Sequence, residues 1–266
     1  MKTFLRAFWP ACLFVVVIAV LAGTGYIAVT TNISTAGDWR THAQANAQRP
    51  AGHPAKIRDT TVQALATAKR QAIATQRQHG IGLLRVPSQH IELTIFGTMT
   101  NTTLSLGVAR YFPSRTMGDG NNVYAAHNLA AANLLLTRTA HLQHGAAITQ
   151  TDFVHTYHYR VVYNRVVKAT EVAVLKQTKE DRLTLIRCEG DVGTNFRRVI
   201  IARKTAVTPY VATPAAPHRL TQRLAPLVPV LLTPWFNLAV LLCFSGLLYL
   251  GSRRYRQLQE EHHENL

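Results

Sequence analysis

Cysteine is nearly missing from this 266-residue chain, which has only three. Cys12 and Cys243 fall in long uncharged apolar runs, so Cys188 stands alone in everything between them. That middle region cannot close an internal disulfide. Cys188 also lacks the second cysteine that a thiolate zinc site needs, and no pair among the 12 histidines has zinc-site spacing with a third ligand nearby. Acidic residues are scarce too, 13 against 29 Lys and Arg, for a formal net charge of +16. The basic residues are scattered, and no basic motif interleaved with aromatics appears, which argues against nucleic-acid binding. Attraction to an anionic envelope or membrane surface accounts better for the charge. Internal repeats and low-complexity tracts are absent as well.

Charge disappears altogether from two stretches. No charged residue lies between Ala7 and Val29, and a second uncharged run spans Leu224 to Leu250. About 20 apolar residues cross a bilayer, so each run is expected to form a transmembrane helix. The first is longer than the apolar core of a secretory signal, and no small-x-small cleavage site follows it closely, so it reads as an uncleaved anchor. Pro226, Pro229 and Pro234 crowd the start of the second, which puts the onset of regular helix near Pro234 or Trp235. Lys2 and Arg6 precede the first run, and Arg253, Arg254 and Arg256 follow the second. Positive residues at the outer end of each run place both termini in the cytoplasm and the middle of the chain outside the cell membrane. The expected organisation is a cytoplasmic stub and anchor at 1–32, an extracellular stalk with an amphipathic helix at 33–79 and a domain at 80–206. A Pro/Ala linker at 207–223, a second transmembrane segment at 224–251 and a cytoplasmic tail at 252–266 follow.

Residues 33–55 are polar and rich in Ala, Gln, Thr and Pro, a composition that predicts a flexible stalk. Val62, Leu65, Ala66, Lys69, Ile73 and Gln76 then recur at helical spacing without Pro or Gly, which predicts one amphipathic helix over 56–79 packed on its own domain. From Gly80 the period changes. Gly82–Val86, Ile91–Phe96, Asn122–Ala126, Ala146–Thr151, Leu183–Cys188 and Phe196–Ile201 read as short strands. Thr156–Tyr163 and Val166–Leu175 read as two more, joined at Asn164-Arg165; Leu129–Leu136 reads as a short apolar helix. Leu104–Ala109 fits either helix or extended chain. Many short strands with turn signals between them predict an all-β barrel or sandwich.

Cys188 ends one strand, and Arg197-Arg198 enters the next after a loop containing Gly190 and Gly193. Antiparallel pairing would make thiol and guanidinium neighbours, and a fixed cation beside a thiol favours thiolate. His127 follows the strand Asn122–Ala126 and precedes a short helix, a place that by itself suits a structural histidine more often than a catalytic one.

Taken together, three segments resemble the sortase family. They are Met117-Gly118-Asp119-Gly120-Asn121-Asn122-Val123-Tyr124-Ala125-Ala126-His127-Asn128, then Thr184-Leu185-Ile186-Arg187-Cys188, then Arg198-Val199-Ile200-Ile201. The resemblance runs from about Ile81 to Lys204. It implies a closed eight-stranded β-barrel with short helices, flanked here by the two expected transmembrane helices. It also implies a membrane-anchored cysteine transpeptidase of Gram-positive bacteria. Such an enzyme cleaves a Leu-Pro-x-Thr-Gly sorting signal after Thr through a thioester and passes the acyl group to an amine. On matching positions, His127 and Cys188 are the catalytic pair. Arg198 is the preferred catalytic arginine because three apolar residues follow it directly, with Arg197 as the alternative, since strand alternation lets only one of them point inward. Asn128, Thr184 and Arg187 flank these residues and become candidate substrate contacts. The implied partners are surface proteins carrying an LPxTG-type signal, an amine acceptor such as a cell-wall precursor, and the lipid bilayer. No cofactor is implied, and the dispersed carboxylates do not form the calcium cluster that some members use.

Two positions depart from the family pattern. Ala126 stands where glycine usually precedes the histidine, and Arg187 where threonine usually precedes the cysteine. Arg187 brings a further cation close to the thiol and bears on peptide specificity. The second span is like that of the pilin-polymerising class, whereas the 117–128 pattern is nearer the housekeeping class. Gly37-Asp38-Trp39 lacks the proline of the pilin-class lid. Besides the transpeptidase, two other readings stand: an enzyme whose thioester goes to water, and an inactive membrane-anchored binding or scaffold protein on a sortase barrel.

Overall fold

The alternating runs close into one sheet. In the computed structural model, β1 (Gly80–Val86), β2 (Ile91–Phe96), β3 (Val108–Arg110), β4 (Asn121–Ala126), β5 (Ala147–Thr151), β6 (His155–Lys168), β7 (Arg182–Cys188) and β8 (Phe196–Pro209) form a closed barrel. Its strand order is β1-β2-β3-β4-β7-β8-β6-β5, with β5 pairing back onto β1. The β2–β3 and β4–β7 pairs are parallel and the others antiparallel. Closure leaves no open sheet edge. Leu183, Leu185, Ile200 and Ala202 are wholly buried and paired with one another across β7 and β8. The described residues are 9–20, 22–23, 33, 38–49, 57–129, 134–191, 193–212 and 234–264. They fall into two units, Thr30–Arg219, which holds the barrel, and Met1–Val29 with Leu220–Leu266.

Several segments differ from what the sequence predicts. Residues 38–48 are not a loose stalk: a 3-10 turn (Asp38–His42) leads into α1 (Ala43–Gln48). Trp39 is 2% exposed and lies so close to Gly80 that a Cβ there would come within 2.6 Å of its ring. Asn46 Nδ2 donates to the carbonyls of Arg77 and Gly80, both at 2.9 Å. The single amphipathic helix is two, α2 (Val62–Arg70) and α3 (Ala72–His79), broken at Gln71. Their buried face is Leu65, Ala66, Ala68, Ala72, Thr75 and Gln76, while Val62 and Ile73 are 58% and 60% exposed. The expected turn at Asn164-Arg165 is absent, because β6 runs through it in register with β8. Asn164 instead donates its amide to the carbonyls of Thr139 and Leu142 at 3.0 and 2.9 Å, anchoring the β4–β5 connection. Beyond Lys168, Val172–Leu175 is a 3-10 turn rather than strand. β8 continues to Pro209, into the expected linker. Leu104–Ala109 divides into the end of α4 (Asn101–Leu106), capped by a reciprocal Thr100/Thr103 box, and the start of β3. The expected helix Leu129–Leu136 lies partly outside the described residues.

One end of the barrel is sealed by polar side chains. Asn122 Oδ1 accepts from Gly118 N at 2.6 Å and from Gln150 Nε2 at 2.9 Å, and its amide donates to Thr116 O at 2.7 Å. Gly118 has φ +91, and a Cβ there would strike the Tyr157 ring, so only glycine fits the turn.

In the other unit, residues 9–20 are helical and a second helix spans Pro234–Glu264. The Phe14 and Phe244 rings stack with centroids 6.3 Å apart. Among the described residues, no helix is long and apolar enough to cross a membrane. The two expected spans lie partly outside the described residues.

Candidate active site

Three neighbouring strands, β4, β7 and β8, bring the site residues together. In the parallel β4–β7 pair, Ala126 lies beside Arg187, and the next residue on each strand is His127 and Cys188. In the antiparallel β7–β8 pair, Cys188 lies opposite Arg197 and Arg187 opposite Arg198. Side chains alternate along a strand and paired residues emerge on the same face. Cys188 therefore shares one face with Arg197, and His127 follows the end of the neighbouring strand β4. Arg187 and Arg198 emerge together on the opposite face, the side of Leu185 and Ile200.

Cys188 is a half-buried free thiol. His127 is 7% exposed. Its backbone N–H donates to Leu104 O at 3.1 Å, which ties it to α4. Its buried Nε2 has no hydrogen-bond partner among the described residues. Burial pulls the imidazole pKa below its ordinary value, while the Asp59 carboxylate and a hydrogen bond to the Asn101 backbone act in the other direction. Asp59 belongs to the segment that precedes α2. Arg58 N donates to Asn101 Oδ1 at 3.0 Å, and Asp59 Oδ2 accepts from Gly193 N in the β7–β8 loop at 3.1 Å. Arg197 Nη1 donates to the carbonyls of Thr194 and Phe196, both at 2.8 Å, so the same loop fixes the guanidinium.

The other two arginines converge on Glu189. Arg187 Nη2 meets its Oε2 at 2.8 Å, and Arg198 Nη2 meets its Oε1 at 3.1 Å. Burial alone would raise the Glu189 pKa, but the Arg198 hydrogen bond and both guanidinium charges bring it below the ordinary value. Burial lowers the Arg187 pKa and the Glu189 charge opposes it.

The three expected substrate contacts are placed differently. Thr184 is fully buried and donates to Asn121 Oδ1 at 2.7 Å within the sheet. Asn128 donates to Gly190 O at 3.0 Å and accepts from Arg187 at 3.2 Å. Arg187 emerges on the face opposite Cys188 and turns its guanidinium to the Cys188 carbonyl at 2.9 Å. Sequence reasoning passed over Glu189 and Asp59. Glu189 had a local signal, a carboxylate directly after the cysteine. Asp59 had none, since it reaches the loop only through the fold. Among the described residues, no three of His, Cys, Asp or Glu group so as to hold a metal ion.

A thiol with an imidazole and a guanidinium at the neighbouring strand ends is equipped for nucleophilic acyl chemistry with charge stabilisation. Residues 84–205 match the family model of the sortase domain. YwpE of Bacillus subtilis, a protein assigned to the sortases, is 34% identical over 84 residues, which is 32% of this chain and 82% of that protein. This chain belongs to the sortase family. Sortase A of Listeria monocytogenes is 30% identical over 121 residues, 46% of this chain and 54% of the relative. The chain thus spans about half the length of the sortase A relatives it matches. The crystal structure of the Listeria monocytogenes sortase A is similar with a TM-score of 0.49 and 26% identity, over 56% of this chain and 98% of that one. The sortase match contains His127, Cys188 and both candidate arginines, whereas Asp59 and Trp39 lie before it.

Proposed function

We propose that this sortase is a cysteine transpeptidase that anchors surface proteins to the cell wall. The observation that carries the reading is the convergence of His127, Cys188 and Arg197 at neighbouring ends of the adjacent strands β4, β7 and β8, with Cys188 paired to Arg197. The Cys188 thiolate attacks the Thr carbonyl of an LPxTG-type signal. The resulting oxyanion is stabilised by a guanidinium, a role we assign to Arg197 rather than Arg198 because the strand register sets Arg197 beside the thiol. His127, as imidazolium, protonates the departing Gly amine and leaves a thioester on Cys188. An incoming amine gives its proton to His127, attacks the thioester and releases Cys188.

We further propose that two membrane segments hold the barrel outside the cell membrane, with both termini in the cytoplasm. The uncharged runs Ala7–Val29 and Leu224–Leu250 and the cations at their outer ends support this. That position keeps the site near substrates held during export. A cell-wall precursor is the favoured amine, and a pilin lysine the alternative.

The test is mass spectrometry of the full chain in detergent micelles, mixed with an LPxTG peptide and triglycine, with Cys188→Ala as control. Peptide cleaved after Thr and joined to triglycine, only when Cys188 is present, establishes transfer. Cleavage without joining makes the enzyme a hydrolase. Neither adduct nor cleavage across a panel of signals moves the scaffold reading to the front.

A further inference from the structure

We propose that Arg187 is a positioning residue that fixes His127 and Cys188 relative to each other; the inference rests on the transpeptidase reading above. The backbone ladder between β4 and β7 ends at the Ala126–Arg187 pair, one residue before the catalytic pair. Beyond that point the Arg187 side chain takes over the connection. It is 4% exposed. Its Nη1 donates to Cys188 O at 2.9 Å and to Asn128 Oδ1 at 3.2 Å, and its Nη2 meets Glu189 Oε2 at 2.8 Å. Asn128 in turn donates to Gly190 O at 3.0 Å. One planar group therefore joins the residue that follows His127, the carbonyl of Cys188 and the residue that follows Cys188. Arg198 holds the far side of Glu189 and keeps the fork in its plane.

This geometry needs a guanidinium. Its N–H groups point in fixed directions, so acceptors on two separate chain segments can be met at once. A lysine keeps the charge but not the fork. A threonine, usual at this position in the family, is too short to reach Asn128. Because Arg187 emerges opposite the thiol, its contribution is distance and orientation rather than contact with peptide.

The experiment compares the full-length wild type in detergent with Arg187→Lys, Asn128→Ala and the double variant. Turnover of an LPxTG peptide gives kcat and KM, iodoacetamide alkylation of Cys188 across pH reads the thiol's surroundings without substrate, and melting gives Tm. Either single change is expected to lower kcat on the order of 10–100-fold with KM little changed. The double variant should fall no further than the worse single one, and both single changes should displace the alkylation profile in the same direction. A rise in KM at constant kcat would make Arg187 a substrate contact and overturn the proposal. A lower Tm with kcat and alkylation unchanged would reduce it to a fold-stabilising residue. If wild type turns over no peptide, the transpeptidase reading fails, and the alkylation profile still decides whether Arg187 sets the surroundings of Cys188.

Discussion

Cys188 and Arg197 face one another directly across β7 and β8, one pair beyond Arg187 and Arg198. Because a strand alternates, the two arginines of the Arg197-Arg198 pair serve opposite faces and have different tasks. Arg197→Ala should lower turnover on the order of 10²–10³-fold, the usual loss of one oxyanion donor, and leave stability nearly unchanged. Arg198→Ala removes a charged hydrogen-bond partner from Glu189, at a cost of about 1.5–3 kcal/mol in stability, with a much smaller effect on turnover. Thioester accumulation by mass spectrometry and urea denaturation separate the two. The reverse pattern would return the oxyanion role to Arg198.

His127 provides a pH test. Burial holds its folded-state pKa below the ordinary 6.5. Between the folded value and 6.5 the unfolded chain binds more protons than the folded one, so stability rises with pH across that window. The contribution is fully present above 6.5 and is lost as pH falls through the folded pKa. Asp59→Asn removes the carboxylate that opposes burial, so it should depress the imidazole further and extend the window to lower pH. NMR titration of the labelled ring in a Cys188→Ala background measures both. An imidazole pKa unmoved by Asp59→Asn would remove the segment before α2 from the electrostatics of the site.

At the sealed end of the barrel, Asn122 satisfies Gly118 N, Gln150 Nε2 and Thr116 O with one side chain. Asn122→Ala removes the partner of the buried Gly118 N and one of the two partners of Gln150 Nε2, and each buried group left unpaired costs about 1–3 kcal/mol. Urea denaturation should show the loss as a lower midpoint with an unchanged slope. Turnover by the folded fraction should stay near wild type, since the network is at the other end of β4 from His127.

The sequence made some of this legible for definite reasons. β2 alternates from Ile91 to Ile95 and β7 from Leu183 to Leu185, while His127 follows the run Asn122–Ala126 and Cys188 ends the run Leu183–Cys188, so a strand end and a reactive side chain coincide at each. The choice between Arg197 and Arg198 was not legible, because the apolar residues after an arginine do not reveal its partner across the ladder. Pairing fixes that register, and pairing is tertiary. Asn164-Arg165 carries turn chemistry, yet continuous pairing of β6 with β8 and the carbonyls of Thr139 and Leu142 override it. Arg187 was visible as a departure, but its partners Asn128 and Glu189 become neighbours only after β4 and β7 align. Around Trp39, a polar composition concealed one aromatic anchor.

That anchor sets where the barrel unit begins. Trp39 packs edge-on against Phe153 with centroids 5.4 Å apart, and Phe153 does the same with Tyr210, also at 5.4 Å. The Asp38–Arg77 ion pair beside it is exposed on both sides and contributes little, so the indole and the Asn46 hydrogen bonds carry the attachment. Trp39→Ala should cost about 3–5 kcal/mol and lower the Tm accordingly. A barrel cut to residues 56–206 loses Trp39, α1 and Tyr210 together, leaving Gly80 and Phe153 uncovered. It should melt well below a chain spanning 38–212, and Trp39→Ala in the longer chain should close much of that difference, the rest coming from Tyr210, the end of β8 and the Asn46 hydrogen bonds. If the shorter chain melts with the longer one, the segment 38–48 rests on the barrel without stabilising it, and the unit begins at α2.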